Sequence, residues 1–225
     1  MPEKKSNKLA IFFDLDGTLA DTAPDLAGAL NKLRSEQGLP PLPLAELRPY
    51  ISAGAKGLLL AGLNISPESP TYLATQERFL TLYEKNVHNE TRLFDGIAEC
   101  LDRLDNLTIP WGIVTNKALR FAAPLIDGLG LQHRAICLVA GDSASHPKPH
   151  PAPLLMAARI AAIEPHYCTY VGDDERDILA ARAAGMKAVA ATWGYLGSDK
   201  PVADWGADIT ISSPKDIFRV IATNR

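Results

Sequence analysis

Leu9-Ala10-Ile11-Phe12-Phe13-Asp14-Leu15-Asp16-Gly17-Thr18-Leu19-Ala20-Asp21-Thr22 is the stretch from which the fold is read. The apolar run Leu9 to Phe13 suits a buried parallel strand and is too short to show a helical period. It stops at two aspartates one residue apart, followed by Gly-Thr. Carboxylates at the end of a buried strand are costly unless a cation or a reaction uses them. In an open α/β sheet, the carboxyl ends of the strands are also where ligands bind. The stretch therefore places two acids where such a sheet does its chemistry.

From Thr22 onward the period becomes helical. Thr22, Pro24 and Asp25 form a helix start, with Thr22 as the cap, and Leu26, Ala29, Leu30 and Leu33 recur at helical spacing up to a stop at Gly38. A short helix is expected from Leu44 to Tyr50. The Gly-rich turn Ile51-Ser52-Ala53-Gly54-Ala55-Lys56-Gly57 then leads into Leu58-Leu59-Leu60, and Ser66-Pro67-Glu68 opens a further helix carrying Tyr72, Phe79, Leu80 and Tyr83. Residues 22–90 are read as helical throughout, without a strand. Beyond them, strands expected at 109–114, 135–140, 166–171, 187–191 and 209–211 alternate with helices at 96–104, 118–126, 152–163 and 177–184, and Ser213-Pro214 starts a terminal helix. The expected fold class is α/β: a doubly wound, parallel, Rossmann-like sheet with an inserted α-helical cap domain. The α/β core is expected to comprise residues 1–21 and 91–225, and the cap residues 22–90.

Composition narrows the class of partner. The chain has 225 residues, 47% of them apolar and 22% charged, with a formal net charge of −3. With no Lys/Arg cluster and no basic excess, a nucleic-acid binder is not expected. Cys100, Cys137 and Cys168 are odd in number and widely spaced, which fits a reduced, cytoplasmic setting rather than disulfides or zinc. The basic stretch before Leu9 is followed by too short an apolar run for a signal peptide or a membrane span. Residues 1–7 are read as a loose tail, and a soluble monomer or homodimer is expected.

Four polar stations follow four of the expected strands. They are Asp14 with Asp16; Thr115-Asn116; Lys148 within His146-Pro147-Lys148-Pro149-His150-Pro151; and Gly172-Asp173-Asp174-Glu175-Arg176-Asp177. Taken singly, each has an ordinary explanation as a turn, a helix cap or a solvated lysine. A doubly wound sheet brings all four to one crevice, and that convergence is what points to a site.

Taken in order, Asp14-Leu15-Asp16-Gly17-Thr18, Thr115, Lys148 and Asp173-Asp174 with Asp177 resemble the four motifs of the haloacid dehalogenase superfamily, over essentially the whole chain. The helical insertion resembles that superfamily's α-helical cap. The resemblance implies a phosphoryl-transfer enzyme. Asp14 would be the nucleophile, forming an aspartyl phosphate, and Asp16 the acid and base. Thr115, the Asn116 amide and Lys148 would hold the phosphoryl oxygens. Mg²⁺ would sit on Asp14, the Asp16 carbonyl and Asp173, with Asp174 and Asp177 supporting the metal waters and Lys148.

Asp16 favours a phosphate ester over a halide or phosphonate, since it serves to protonate a leaving alkoxide. A phosphosugar mutase shares the Asp pair and stands as the alternative enzyme. A phospho-accepting receiver module is the non-enzymatic one. Ile51 to Ala55, Trp111 to Lys117, Arg120-Phe121, Gly172 to Ile178 and Trp205 to Asp208 are similar to the phosphoglycolate phosphatase branch and to the bacterial N-acetylmuramic acid 6-phosphate phosphatases. Both substrates are phosphate monoesters bearing a carboxylate, so Ser52 and Lys56 in the cap turn are expected to bind the substrate, Lys56 by reading its carboxylate when the cap closes.

Overall fold

The apolar run becomes β1 (Ala10–Phe13), and its continuation folds back into a short β2 (Ala20–Asp21). Four helices come next: α1 (Ala23–Glu36), α2 (Leu44–Leu47), α3 (Gly54–Leu63) and α4 (Tyr72–Glu84), with a 3-10 segment, Arg48–Ala53, between the second and third. The chain returns through β3 (Arg92–Leu93) and then alternates: α5 (Ile97–Asn106), β4 (Trp111–Val114), α6 (Leu119–Gly128), β5 (Leu138–Val139) and α7 (Ala152–Ala161). It finishes with β6 (Cys168–Gly172), α8 (Glu175–Ala183), β7 (Lys187–Ala191), β8 (Ile209–Ile211) and α9 (Ile217–Ala222). The computed structural model describes residues 9–197 and 200–222, so the tail expected over residues 1–7 lies outside the described residues.

Six strands form one parallel sheet in the order β5-β4-β1-β6-β7-β8. β1 lies near its centre, with Phe12 beside Gly112 on one side and Tyr170 on the other. Alternate residues of β1 face opposite ways. Ile11 and Phe13 join Trp111, Ile113 and Val171 on one face, and Ala10 and Phe12 join Val139, Tyr170 and Ala188 on the other. With both faces covered, all four β1 side chains are fully buried, which is why the strand reads as an unbroken apolar run. The expected α/β architecture is thus observed. Among the described residues, no helix is long and apolar enough to cross a membrane.

Three local differences have physical causes. β2 and β3 pair as an antiparallel ribbon at the two ends of the inserted helices; two-residue strands carry no period to detect. The helix expected from Ser66 starts only at Tyr72. The Ser66 N–H is taken by the Ser69 hydroxyl, and the ring of Pro70 removes another donor, so the segment turns instead. β5 shrinks from 135–140 to Leu138–Val139, although Ile136 still donates to the Trp111 carbonyl.

Thr22 precedes α1 as expected, but its hydroxyl does not cap the helix. Asp25 instead ties α1 to the returning chain. Its buried carboxylate accepts the N–H groups of Asn89, Glu90 and Thr91 at 2.8–3.1 Å and the Thr91 hydroxyl at 2.7 Å. Asp25→Ala leaves those amides without a partner, which costs about 3 kcal/mol. In a thermal melt we expect the midpoint to fall by roughly 6–12 °C at this chain length, and a change below about 2 °C would remove the latch role.

Candidate active site

β1 delivers Asp14, whose N–H continues the ladder to the Val171 carbonyl at 2.9 Å. The chain then turns sharply through Gly17 at φ 86°, where any side chain would overlap the Asp173 carboxylate. Only glycine allows this approach. β4 delivers Thr115, and β6 delivers Asp173 and Asp174. Asp174 caps α8 in a reciprocal box with Asp177, so the helix start that fixes both acids is also part of the site.

These groups line one cavity of about 380 Å³ between the strand ends and the inserted helices. Asp14, Asp16, Thr115, Asn116, Lys148, Asp173, Asp174, Asp177 and Ser52 all reach it. Lys56 does not. The helix bearing it packs Gly57, Leu58 and Leu59 inward, and Lys56 is left exposed. His146 and His150 stack on each other at 4.6 Å outside the cavity lining.

Lys148 is the positive centre of the floor. Its ammonium lies 2.6 Å from Asp177 Oδ1 and 2.9 Å from Asp14 Oδ1, donates to the Tyr170 hydroxyl at 2.7 Å, and is almost wholly buried. Burial opposes its charge, but Asp14 and Asp177 more than offset this and hold its pKa above the usual lysine value. Its backbone is clamped by the Asn116 side chain, which donates to the Lys148 carbonyl and accepts the Lys148 N–H, each at 2.9 Å. Thr115 Oγ1 accepts the Lys117 N–H at 3.1 Å.

The acids are short of positive charge. Burial, with Asp177 and Asp16 nearby, pushes the Asp14 carboxyl up to about 7 against the pull of Lys148. Asp173 is held well above the usual carboxylate range by burial and by the charges of Asp14 and Asp177, even though it accepts the Thr18 hydroxyl and the Tyr195 N–H. Asp174 differs: burial would raise it, but hydrogen bonds from Arg176 bring it below the usual range.

Carboxylate oxygens of Asp14, Asp173 and Asp177 lie within 4.8 Å of one another. Among the described residues, Lys148 is the one ammonium in contact with them, so as three carboxylates they would carry two negative charges more than it offsets, and Asp14 Oδ1 takes no aligned hydrogen bond. This all-oxygen set fits a hard divalent cation. Asp177 is paired with the Lys148 ammonium at 2.6 Å, whereas the Asp173 oxygens accept from two neutral donors, the Thr18 hydroxyl and the Tyr195 N–H, so the charge of Asp173, beside Asp14, is the one left for an ion. The Asp16 carboxylate points elsewhere, to Lys117 and Thr22.

Several members of the site are not among the residues singled out from the sequence. Lys117 is buried against Asp16. Tyr170 joins Lys148 to the Val114 carbonyl. The Tyr195 hydroxyl accepts the Thr22 and Ala23 N–H groups and donates to Asp21. Arg176 bridges Asp174 to the Ser52 carbonyl at 2.6 Å, joining the sheet side to the inserted helices. Lys117 and Arg176 stand inside stretches that carry the family likeness; the two tyrosines carry no local mark.

Residues 11–191 match the model of the haloacid dehalogenase-like hydrolases, and the chain belongs to that family. A phosphoglycolate phosphatase from Xanthomonas campestris pv. campestris is 44% identical over 95% of this chain and 96% of its own length. An N-acetylmuramic acid 6-phosphate phosphatase from Pseudomonas aeruginosa is 37% identical over 97% and 96%. The fold superposes on a crystal structure described as a predicted phosphoglycolate phosphatase from Haemophilus somnus with TM-score 0.83 and 28% identity, covering 96% of this chain and 99% of that one. Within the family, the chain falls in the phosphoglycolate phosphatase-like branch.

Proposed function

We propose that the chain is a cytoplasmic, Mg²⁺-dependent phosphomonoesterase acting on a small phosphorylated metabolite that carries a carboxylate. The observation that carries this reading is Asp14, a buried acid at a strand end, 2.9 Å from a buried ammonium and grouped with acids that call for a divalent cation. Asp14 attacks phosphorus, the ester bond breaks, and the departing oxygen takes a proton from Asp16. Water then attacks the aspartyl phosphate, giving its proton to Asp16 and releasing phosphate. Lys148 and the hydroxyl of Thr115 face the phosphoryl oxygens, where fixed charge and donors stabilise the transition state. Asp14 and Asp173, with the Asp16 carbonyl, would hold Mg²⁺, which neutralises charge on the phosphoryl group. The helices of residues 22–90 serve as a cap that excludes water until the alcohol has left.

The substrate's carboxylate needs a cation, and the structure supports Arg120 in place of Lys56. Among the cations lining the cavity, Lys117, Lys148 and Arg176 are each held by an acid. Arg120 lies 4.5 Å over the Phe121 ring, and no acid pairs with it among the described residues. The apolar side chains of Leu26, Ile51, Phe79 and Leu80 offer a wall for a substrate larger than a two-carbon acid.

Turnover of a phosphometabolite panel that includes 2-phosphoglycolate and N-acetylmuramic acid 6-phosphate, with Mg²⁺ and with EDTA, tests the activity. N-acetylglucosamine 6-phosphate, which lacks the lactyl carboxylate, tests the arginine. Arg120→Ala should raise KM for carboxylated esters by roughly 10–100-fold, the worth of a charge-assisted hydrogen bond, and shift the analogue without the carboxylate by less than about threefold. Absence of any Mg²⁺-dependent turnover overturns the activity; equal losses on both sugars overturn the role of Arg120.

A further inference from the structure

The reaction leaves one buried charge without a task. The Lys117 side chain is only 7% exposed, and its Nζ lies 2.8 Å from Oδ1 and 3.1 Å from Oδ2 of Asp16. Asp16 Oδ1 also accepts the Thr22 hydroxyl at 2.5 Å. On its other side, the ammonium stands 4.9 Å from the ring centroid of Tyr83, a residue of α4 in the inserted helices. The root of the lysine is fixed as well: its N–H is bound by Thr115 Oγ1, and its carbonyl accepts the Gly141 N–H at 2.9 Å. Burying a lysine costs several kcal/mol in desolvation even when it is paired. A neutral residue would fill the space without that cost, so the charge itself has a use.

We infer that Lys117 is the positioning residue of Asp16, holding that carboxylate in its proton-transfer orientation and tying it, through Tyr83, to the inserted helices. The inference rests on the reading of Asp16 as the proton donor. Among the described residues, Oδ1 receives two short hydrogen bonds, whereas Oδ2 receives only the longer one from Lys117. Oδ2 is therefore the oxygen left open for proton transfer. As the P–O ester bond breaks, its electron pair stays on the ester oxygen, which takes the proton from Oδ2, and negative charge appears on Asp16 next to an ammonium already in place. A charge fixed in advance needs no reorganisation when the proton moves. In the second half, Oδ2 takes a proton back from the attacking water. Because the far side of the ammonium rests on Tyr83, the geometry of the acid depends on where α4 lies.

The test compares two leaving groups on the Mg²⁺-loaded enzyme. An alkyl phosphate needs a proton on its departing oxygen, and p-nitrophenyl phosphate does not. The quantity read is the ratio of kcat/KM for the alkyl ester to that for the aryl ester, which reports steps up to formation of the phosphoenzyme. Asp16→Asn should lower this ratio by about 10²–10⁴-fold. Lys117→Met should lower it by roughly 10–10²-fold. Tyr83→Leu should move it in the same direction by a few-fold, on the order of a lost cation–π contact. A purely structural role would lower both esters together and leave the ratio unchanged, which would overturn the inference. Should Lys117→Met fail to fold in a thermal melt, Lys117→Gln, which keeps a donor but not the charge, is read the same way. If Asp16→Asn leaves the ratio unchanged, the assignment of Asp16 itself falls; if Asp16→Asn lowers it and the Lys117 variants do not, only the role of Lys117 falls.

Discussion

Asp14→Asn should abolish turnover and at the same time raise the melting temperature of the metal-free protein. An amide cannot open an ester by covalent attack, and loss of a covalent nucleophile costs on the order of 10⁴-fold or more in kcat. The stability effect arises from the charge shortage on the floor of the site. In the fold the Asp14 carboxyl is pushed up to about 7 from an ordinary value of 3.8. A carboxyl raised on folding destabilises nothing while it is protonated in both states, below about pH 4. Its cost grows as the pH rises through the window from 3.8 to about 7 and is complete above it. The wild-type protein in EDTA should therefore lose melting temperature across that window, and Asp14→Asn should lose less. By pH 8 the two should differ by several degrees, since one pKa unit corresponds to about 1.4 kcal/mol and each kcal/mol to about 2–4 °C at this size. Added Mg²⁺ should close the gap by stabilising the wild type more than the variant. A gap that stays constant with pH, or does not respond to Mg²⁺, would show that the acids are not short of a cation.

The parts of this site that are legible in the sequence are those fixed by local chain geometry. A buried parallel strand shows itself as an apolar run, and the residues just after the run lie at the strand's carboxyl end. Asp14, Thr115 and Asp173 can therefore be placed in one crevice from the strand pattern alone, and all three line it. Lys148 is legible only as part of that set, and its clamp by Asn116 is a contact between two loops that no period reveals. The same holds for Tyr195, whose hydroxyl reaches the backbone at Thr22 from the far end of the chain. Lys56 is exposed in this structure and outside the cavity lining. The Gly-rich turn suggests a lysine presented inward, but the rotation of α3 is set by Leu58, Leu59 and Gly62 packing inward, with Gly62 close against Leu30, and that rotation turns Lys56 out. Arg120 and Lys117, in the stretch after β4, are equally visible in the sequence. What distinguishes them is which cations already have an acid, a property of the assembled site.

Removing the charge of Lys148 should have the largest effect on stability. Lys148→Met strips the ammonium from Asp14 and Asp177 and removes the bond that the Tyr170 hydroxyl accepts, leaving the one it donates to the Val114 carbonyl. Breaking a buried pair on one side costs about 3–5 kcal/mol, so the melting temperature should fall by roughly 6–20 °C, and kcat by about 10²–10³-fold for the lost phosphoryl contact. The informative variant is the double one. Asp177→Asn keeps an oxygen for the Asp174 N–H that helps start α8, and removes the charge that Lys148 neutralises at 2.6 Å. If Lys148 and Asp177 are a charge pair, Lys148→Met with Asp177→Asn should melt higher than Lys148→Met alone by about 1–3 kcal/mol of coupling, while activity stays lost because the phosphoryl oxygens still face no ammonium. The same cycle decides which acids hold the cation. An Asp177 that belonged to the metal rather than to Lys148 would make Asp177→Asn weaken Mg²⁺ binding on its own and rescue nothing in the double variant. A pair with Lys148 leaves the Mg²⁺ dependence of Asp177→Asn close to wild type and assigns the ion to Asp14 and Asp173.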